Sequence, residues 1–244
     1  MPGILMREYF KKIYKKEKKL FEKELYDYLK KDEKKFIITA NPETLMIGNG
    51  NKEFDRVLQS EDVTIVPDGI GVVKAARFLG YDVKERITGV ELCKSLMKYA
   101  DKLNKSIYFF GAKPEVVQLL VEKVKKEYPN ITISGYTDGY VENKENIMEK
   151  IIGKSPDIVL VALGIPQQEL LISRHYPKAK KGIFVGVGGS FDVLSGTKKR
   201  APEIFIKMNL EWLYRIAKEP KRIKRFLRSN IIFLAKIVKM KREK

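Results

Sequence analysis

With 244 residues, 44% of them hydrophobic, the chain can build one large core, so a single domain or a domain with an appendage is expected. Its net charge of +18 sits at the ends: residues 1–35 hold 12 Lys/Arg against 7 Asp/Glu, residues 198–244 hold 16 against 4, and residues 36–197 hold 21 against 20. The single cysteine, Cys93, excludes an intrachain disulfide framework, and no apolar run is long enough for a secretory leader or a bilayer span, so a cytoplasmic protein is expected.

In chain order, residues 4–31 are expected to form one lysine-rich helix, with Phe10, Ile13, Tyr14, Phe21, Leu25, Tyr28 and Leu29 at helical spacing. From Phe36 a regular alternation begins. Short β-branched or aromatic runs at 36–40, 63–66, 106–110, 131–134, 157–162 and 182–187 are separated mostly by amphipathic helical stretches such as 91–103 and 114–128. The pattern predicts an α/β fold: a Rossmann-like, mostly parallel sheet with right-handed crossovers and helices on both faces. Cys93 falls in one predicted helix as a buried structural thiol, and His175 at the end of another as a surface residue. Beyond Gly196 only helical signal remains, so residues 1–197 are expected to be the α/β domain and residues 198–244 a helical appendage.

In such a sheet the loops after the strands gather along one edge, where α/β proteins place their ligands. Here they read Thr39-Ala40-Asn41-Pro42-Glu43, Pro67-Asp68-Gly69, Gly111-Ala112-Lys113, 135–140, 164–169 and 186–192, nearly all marked by glycine. Glycine after a strand admits a phosphate or sugar close to the backbone, so the six together predict a small-molecule site, a nucleotide being the natural ligand. Asp68 closes the strand 63–66 and precedes a glycine-flanked turn. From this string alone it is either the cap of the following helix or a carboxylate held for chemistry.

Several chemistries are absent from the sequence. One histidine argues against His-rich metal sites and a Ser-His-Asp triad, and no Asp-x-Asp pair is present to clamp a divalent metal. There is no P-loop, and Gly48-Asn49-Gly50 lacks the third glycine of a dinucleotide fingerprint. A diphosphate bound without metal must then be neutralised by cations, which the tail can supply. In the tail, Ile223, Phe226, Leu227, Ile231, Leu234 and Val238 form one stripe, with Arg222, Arg225, Arg228 and Lys236 outside it. That pattern fits a helix lying in an anionic membrane interface. Packing on the sheet domain would use the same stripe.

Read together, these motifs resemble the WecG/TagA/CpsF glycosyltransferase family over residues 36–228. The resemblance rests on Thr39–Glu43, Pro67–Val73, Arg86-Ile87-Thr88-Gly89, Gly164–Glu169, Gly186–Asp192, Lys199–Pro202 and Glu211–Arg215. It implies inverting, metal-independent transfer of an N-acetylmannosamine-type sugar from a UDP donor to an undecaprenyl-diphosphate-linked N-acetylglucosamine, with no cofactor. It also implies that Asp68 is the general base, that Thr39 and Asn41 lie near the sugars with Arg86 and Gln168 as further pocket residues, and that Arg215, Arg222 and Arg225 fold over the departing diphosphate. Gly188, Gly189 and Asp192 would line the nucleotide end. The lysine-rich N-terminus departs from the family's usual opening strand and turn, and Gln167 stands where the family often has Lys. Peripheral attachment to the inner face of the membrane is expected and nucleic acid is not, while self-association stays open. Two other readings also stay open: a basic nucleic-acid-binding protein, and a nucleotide-sugar-binding homologue without catalysis.

Overall fold

The computed structural model describes residues 2–218 and 223–243, with side chains described for 6–214, 217 and 229–243. Six strands, β1 (Lys34–Ala40), β2 (Val63–Pro67), β3 (Ser106–Gly111), β4 (Thr132–Thr137), β5 (Ile158–Ala162) and β6 (Gly182–Gly186), form one open sheet. All neighbours are parallel, in the order β2-β1-β6-β5-β3-β4. This is the predicted α/β class, and each predicted strand is present. β5 and β6 are buried along their whole length, which explains why their sequences are continuous apolar runs rather than alternating ones. Edge strand β4 is only partly covered.

Each face of the sheet carries its own core. On the first, helices α1 (Pro2–Lys12), α3 (Pro42–Gly50), α4 (Lys52–Gln59), α5 (Ile70–Phe78), α8 (Lys144–Lys154), α9 (Gln167–His175) and α13 (Ile223–Arg242) cover Phe36, Ile38, Phe110, Val161 and Phe184. On the second, α2 (Lys18–Lys30), α6 (Gly89–Lys102), α7 (Pro114–Glu127) and α10 (Ser190–Ser195) cover Ile37, Phe109, Leu160 and Val185. Alternate residues of one strand thus serve opposite cores, as the period of two requires.

The helix starts have local causes. Asn41 caps α3 by accepting from Thr44 N at 3.0 Å while Thr44 Oγ1 accepts from Asn41 N at 3.2 Å, and Pro42 opens the first turn. Thr88 caps α6, accepting from Glu91 N at 3.3 Å and donating to Glu91 Oε2 at 2.9 Å. Inside α6, Leu92, Cys93, Leu96, Met97 and Ala100 recur at helical spacing on the buried face. Burial pushes the Cys93 thiol well above the ordinary thiol range, as expected of a structural cysteine.

Three expectations are corrected. The N-terminal segment is two helices, because Ile13 bridges in parallel to Ile65 and Tyr14 N donates to Ile65 O at 2.8 Å. This break carries the chain around the exposed β2 edge: Tyr9 and Phe10 enter the first core, Phe21 and Leu25 the second. Helical periodicity could not show it, because both halves keep that period. His175 is buried rather than on the surface, its Nε2 lying 2.5 Å from Glu145 Oε2, while neighbouring Arg174 faces outward to Glu53 and Glu145. In the segment expected to be an appendage, Phe233, Ile237 and Met240 of α13 belong to the first core, and Arg7 donates to the Met240 carbonyl. The predicted stripe lies on another side of the same helix, roughly a third of a turn away, where Ile231, Leu234 and Val238 are exposed. α13 therefore has two apolar faces, one already packed.

Gly111 ends β3 at φ +122°, and a Cβ there would lie 2.3 Å from the Ala162 carbonyl oxygen. Neither backbone can yield without breaking the β3–β5 ladder. Gly111→Ala is expected to cost about 3 kcal/mol or more, read as a lowered midpoint in urea unfolding.

Candidate active site

The strand order decides where the crevice lies. β1 and β5 are followed by α3 and α9 on the first face, whereas β6, between them, is followed by α10 on the second. Adjacent loops therefore part in opposite directions at the carboxyl end of β6, which opens a switch-point crevice. Thr39 Oγ1 spans its floor, donating to Gly186 O at 3.1 Å.

A cavity of about 150 Å³ occupies this crevice, lined by Thr39, Asn41, Asp68, Thr88, Gly89, Gln168, Gly188, Gly189, Ser190 and Glu211 among others. Four of the six predicted loops contribute. The loops after β3 and β4 do not, because those strands form the far end of the sheet; there Gly139 N donates to Ala112 O instead.

Asp68 N is held by Ala40 O at 2.8 Å, and Gly69 at φ +122° turns the chain into α5. The carboxylate is not the cap of that helix, whose N-cap is Gly69. Instead Asp68 Oδ2 accepts from Gly89 N at 3.4 Å, at the first residue of α6, where helix polarity favours negative charge. Close approach is possible because residue 89 lacks a side chain. A Cβ there would lie 3.0 Å from Ser190 Oγ and 3.8 Å from both Asp68 Oδ2 and Thr39 Oγ1. One carboxylate and two hydroxyls thus converge around Gly89.

The other predicted residues divide. Asn41 lines the cavity, but its Oδ1 is engaged by the α3 cap, so its amide nitrogen is what it can offer a ligand. Gln168 is buried, and its Oε1 accepts from Gly164 N and Gly188 N, both at 3.1 Å. It clamps the β5 and β6 loops at a fixed separation. Gly188 and Gly189 line the cavity. Asp192 does not; it faces Lys198 at 3.9 Å on α10. Arg86 lies behind the cavity, donating to Ile206 O at 3.2 Å and pairing with Glu211 at 3.7 Å. Arg222 lies outside the described residues, and so do the side chains of Arg215, in α12 (Glu211–Lys218), and Arg225, in α13.

Several residues that shape the site, Arg86 apart, were given no role from the sequence. Lys18, Glu91, Arg200, Glu211 and Arg86 form a chain of alternating charge with separations of 3.4 to 3.7 Å. It fastens α12 to the sheet domain. Although burial works against its charge, Lys18, the Thr88 hydroxyl, Arg200 and Arg86 hold the Glu91 carboxyl below its ordinary range. Thr88-x-x-Glu91 was readable as a capping box, whereas the ion pairs join residues 11 to 125 positions apart and left no local signal. Glu169 is fully buried beneath the cavity beside Gly186; its Oε1 accepts from Gln168 Nε2 at 2.7 Å, and its pKa is pushed up to about 7 by burial. Among the described residues, no three His, Cys, Asp or Glu side chains are grouped to hold a metal.

A carboxylate, hydroxyls and backbone amides in a switch-point crevice define a small-molecule site of the α/β enzyme class. A family model described as "Glycosyl transferase WecG/TagA/CpsF family" matches residues 12–244, and the chain belongs to this family of glycosyltransferases. The match begins well before Phe36 and includes α2. Similar proteins named N-acetylglucosaminyldiphosphoundecaprenol N-acetyl-beta-D-mannosaminyltransferase include those of Bacillus and Staphylococcus species. The Bacillus spizizenii protein is 43% identical over 82% of this chain and 77% of its own length. That of Bacillus subtilis is 43% identical over 82% and 80%, and that of Staphylococcus aureus 38% identical over 85% and 81%.

Proposed function

We propose that this protein transfers N-acetylmannosamine from a UDP-linked donor to undecaprenyl-diphosphate-linked N-acetylglucosamine, with inversion and without a metal. The relatives' names support the transferred sugar and the acceptor. The observation that carries the chemistry is the placement of Asp68 among Thr39, Gly89 and Ser190 at the mouth of the crevice. In this reading an acceptor hydroxyl gives its proton to an Asp68 carboxylate oxygen as it attacks the anomeric carbon from the face opposite UDP. The bond from that carbon to the phosphate oxygen breaks, and UDP leaves with the electron pair. With no Asp-x-Asp clamp in the sequence, the leaving diphosphate is assigned to cations, Arg215, Arg222 and Arg225 among them.

Peripheral attachment to an anionic membrane on the cytoplasmic side is part of the proposal. No helix among the described residues is long and apolar enough to cross a membrane. Ile204, Met208, Trp212 and Leu213 of α11 (Glu203–Lys207), α12 and their connection are exposed, as are Ile231, Leu234 and Val238 of α13. Lysines flank them. Deleting residues 198–244 would also strip Phe233, Ile237 and Met240 from the core, so substitutions confined to the exposed stripe test attachment more cleanly.

The deciding experiment is an assay of the purified chain with a panel of UDP-sugars and a short-chain polyprenyl-diphosphate N-acetylglucosamine. Product is expected with UDP-N-acetylmannosamine in the presence of a chelator. Turnover only with another sugar, or only with added divalent metal, would reject the corresponding part of the proposal.

A further inference from the structure

A second and larger cavity, about 340 Å³, adjoins the first. Its lining contains four cations, Lys18, Arg77, Lys84 and Arg86, against two acids, Glu85 and Glu91. The Asp68 cavity has the opposite character: its charged lining residues are Asp68 and Glu211. The Arg86–Glu211 pair stands between them, Arg86 lining the second cavity and Glu211 the first. A diphosphate therefore finds little to neutralise it among the described walls of the first cavity and a cationic chamber next door.

We propose that the second cavity binds the diphosphate of the polyprenyl-linked acceptor while its sugar reaches past the Arg86–Glu211 pair towards Asp68. The inference rests on the acceptor named under the proposed function. Lys and Arg are the side chains that hold phosphate oxygens through charge-assisted hydrogen bonds. Arg77 builds the chamber, donating to Val83 O at 2.8 Å and to Lys84 O and so fixing the segment that carries Lys84 and Arg86. Lys84 is engaged with Asp82 in an exposed pair at 2.6 Å, and Lys18 with Glu91 at 3.6 Å. The exposed Lys84–Asp82 pair is worth little and exchanges readily for a multiply charged anion, while the Lys18–Glu91 pair is part-buried.

The rim selects the acceptor over the donor. Asn209, in the turn between α11 and α12, lines the chamber, and around it in the chain Ile204, Met208, Trp212 and Leu213 are exposed. Met208 is 61% and Ile204 63% exposed, a waste of apolar surface beside a soluble nucleotide. A molecule that is anionic at one end and a hydrocarbon beyond it fits both the chamber and its rim.

Trp212 is the chain's single tryptophan and lies three residues along the chain from the lining residue Asn209, so its emission is the natural reporter of occupancy. Titrating the full chain with farnesyl diphosphate should shift Trp212 emission, and farnesol should not. In a Lys18→Gln/Lys84→Gln double variant the farnesyl diphosphate Kd and the acceptor KM should each rise about tenfold, with UDP affinity and donor KM within about twofold. The arginine double variant, K18R/K84R, should restore both. A rise in donor KM or a loss of UDP affinity, with farnesyl diphosphate unaffected, would overturn the assignment in favour of the donor. Indifference of both ligands to the lysines would overturn it outright. The titration requires no turnover, so a failed transfer assay would reject the sugar chemistry while the binding result still judged the cavity.

Discussion

Asp68→Ala is expected to lower kcat about 10³-fold while donor KM and UDP affinity change less than about twofold, because a general base contributes to the transition state and not to donor binding. The carboxylate accepts from Gly89 N at 3.4 Å, and residue 68 lies in a turn outside strand and helix, so the fold should tolerate the change. Asp68→Asn is the sharper comparison. It keeps the shape and an acceptor for Gly89 N but cannot take the proton, so it should be as slow as the alanine variant. Rapid turnover by either variant in a single-turnover assay would remove Asp68 from the role of base.

The second large effect concerns Glu169. Its ordinary value of 4.5 is raised to about 7 in the fold by burial, against the opposing hydrogen bond from Gln168. Between those pH values the unfolded chain binds fewer protons than the folded one, so this group's contribution is fully present below pH 4.5 and lost as pH rises through 7. The loss amounts to about 3 kcal/mol. Glu169→Gln keeps an oxygen that can accept from Gln168 Nε2 and cannot ionise. Urea unfolding from pH 4.5 to 8 should therefore show the variant gaining about 3 kcal/mol relative to the parent across that range. Asp157 and Glu145, whose carboxyls lie below their ordinary range, act in the opposite direction in both proteins and cancel in the difference. A difference that stays flat with pH would mean that Glu169 is not buried as an ionisable group. Because Gln168 holds Gly164 and Gly188 in place, transfer at neutral pH should survive in E169Q and be impaired by Gln168→Leu.

Much of the site was legible because its loops are local. Asp68, Gly188 and Gly189 follow strands that announce themselves as apolar runs, and Asn41 precedes a proline that marks a helix start. What was misread is instructive. Six marked loops were expected at one site and four arrive, since strand order is set by which edges meet in space. Arg86 was expected as a further pocket residue. Its guanidinium engages Glu211 and the Ile206 carbonyl, some 120 positions away, contacts that no local pattern could show. The α13 stripe was weighed as facing either a membrane or the sheet domain. The helix carries a packed face of Phe233, Ile237 and Met240 and a separate exposed apolar one of Ile231, Leu234 and Val238.

By itself the sequence determined the parallel α/β class, the helix caps, the carboxylate at the end of β2 and the family, because each is written in short-range periodicity or in contiguous motifs. Only the tertiary structure decided that the crevice opens at β6, that the N-terminal segment wraps the β2 edge, and that Glu169 is buried under the clamp made by Gln168. It alone placed a cationic chamber beside an acidic cavity. These depend on contacts between distant residues and on burial, and a charge or a carboxylate reads the same in sequence whether water or a closed core surrounds it.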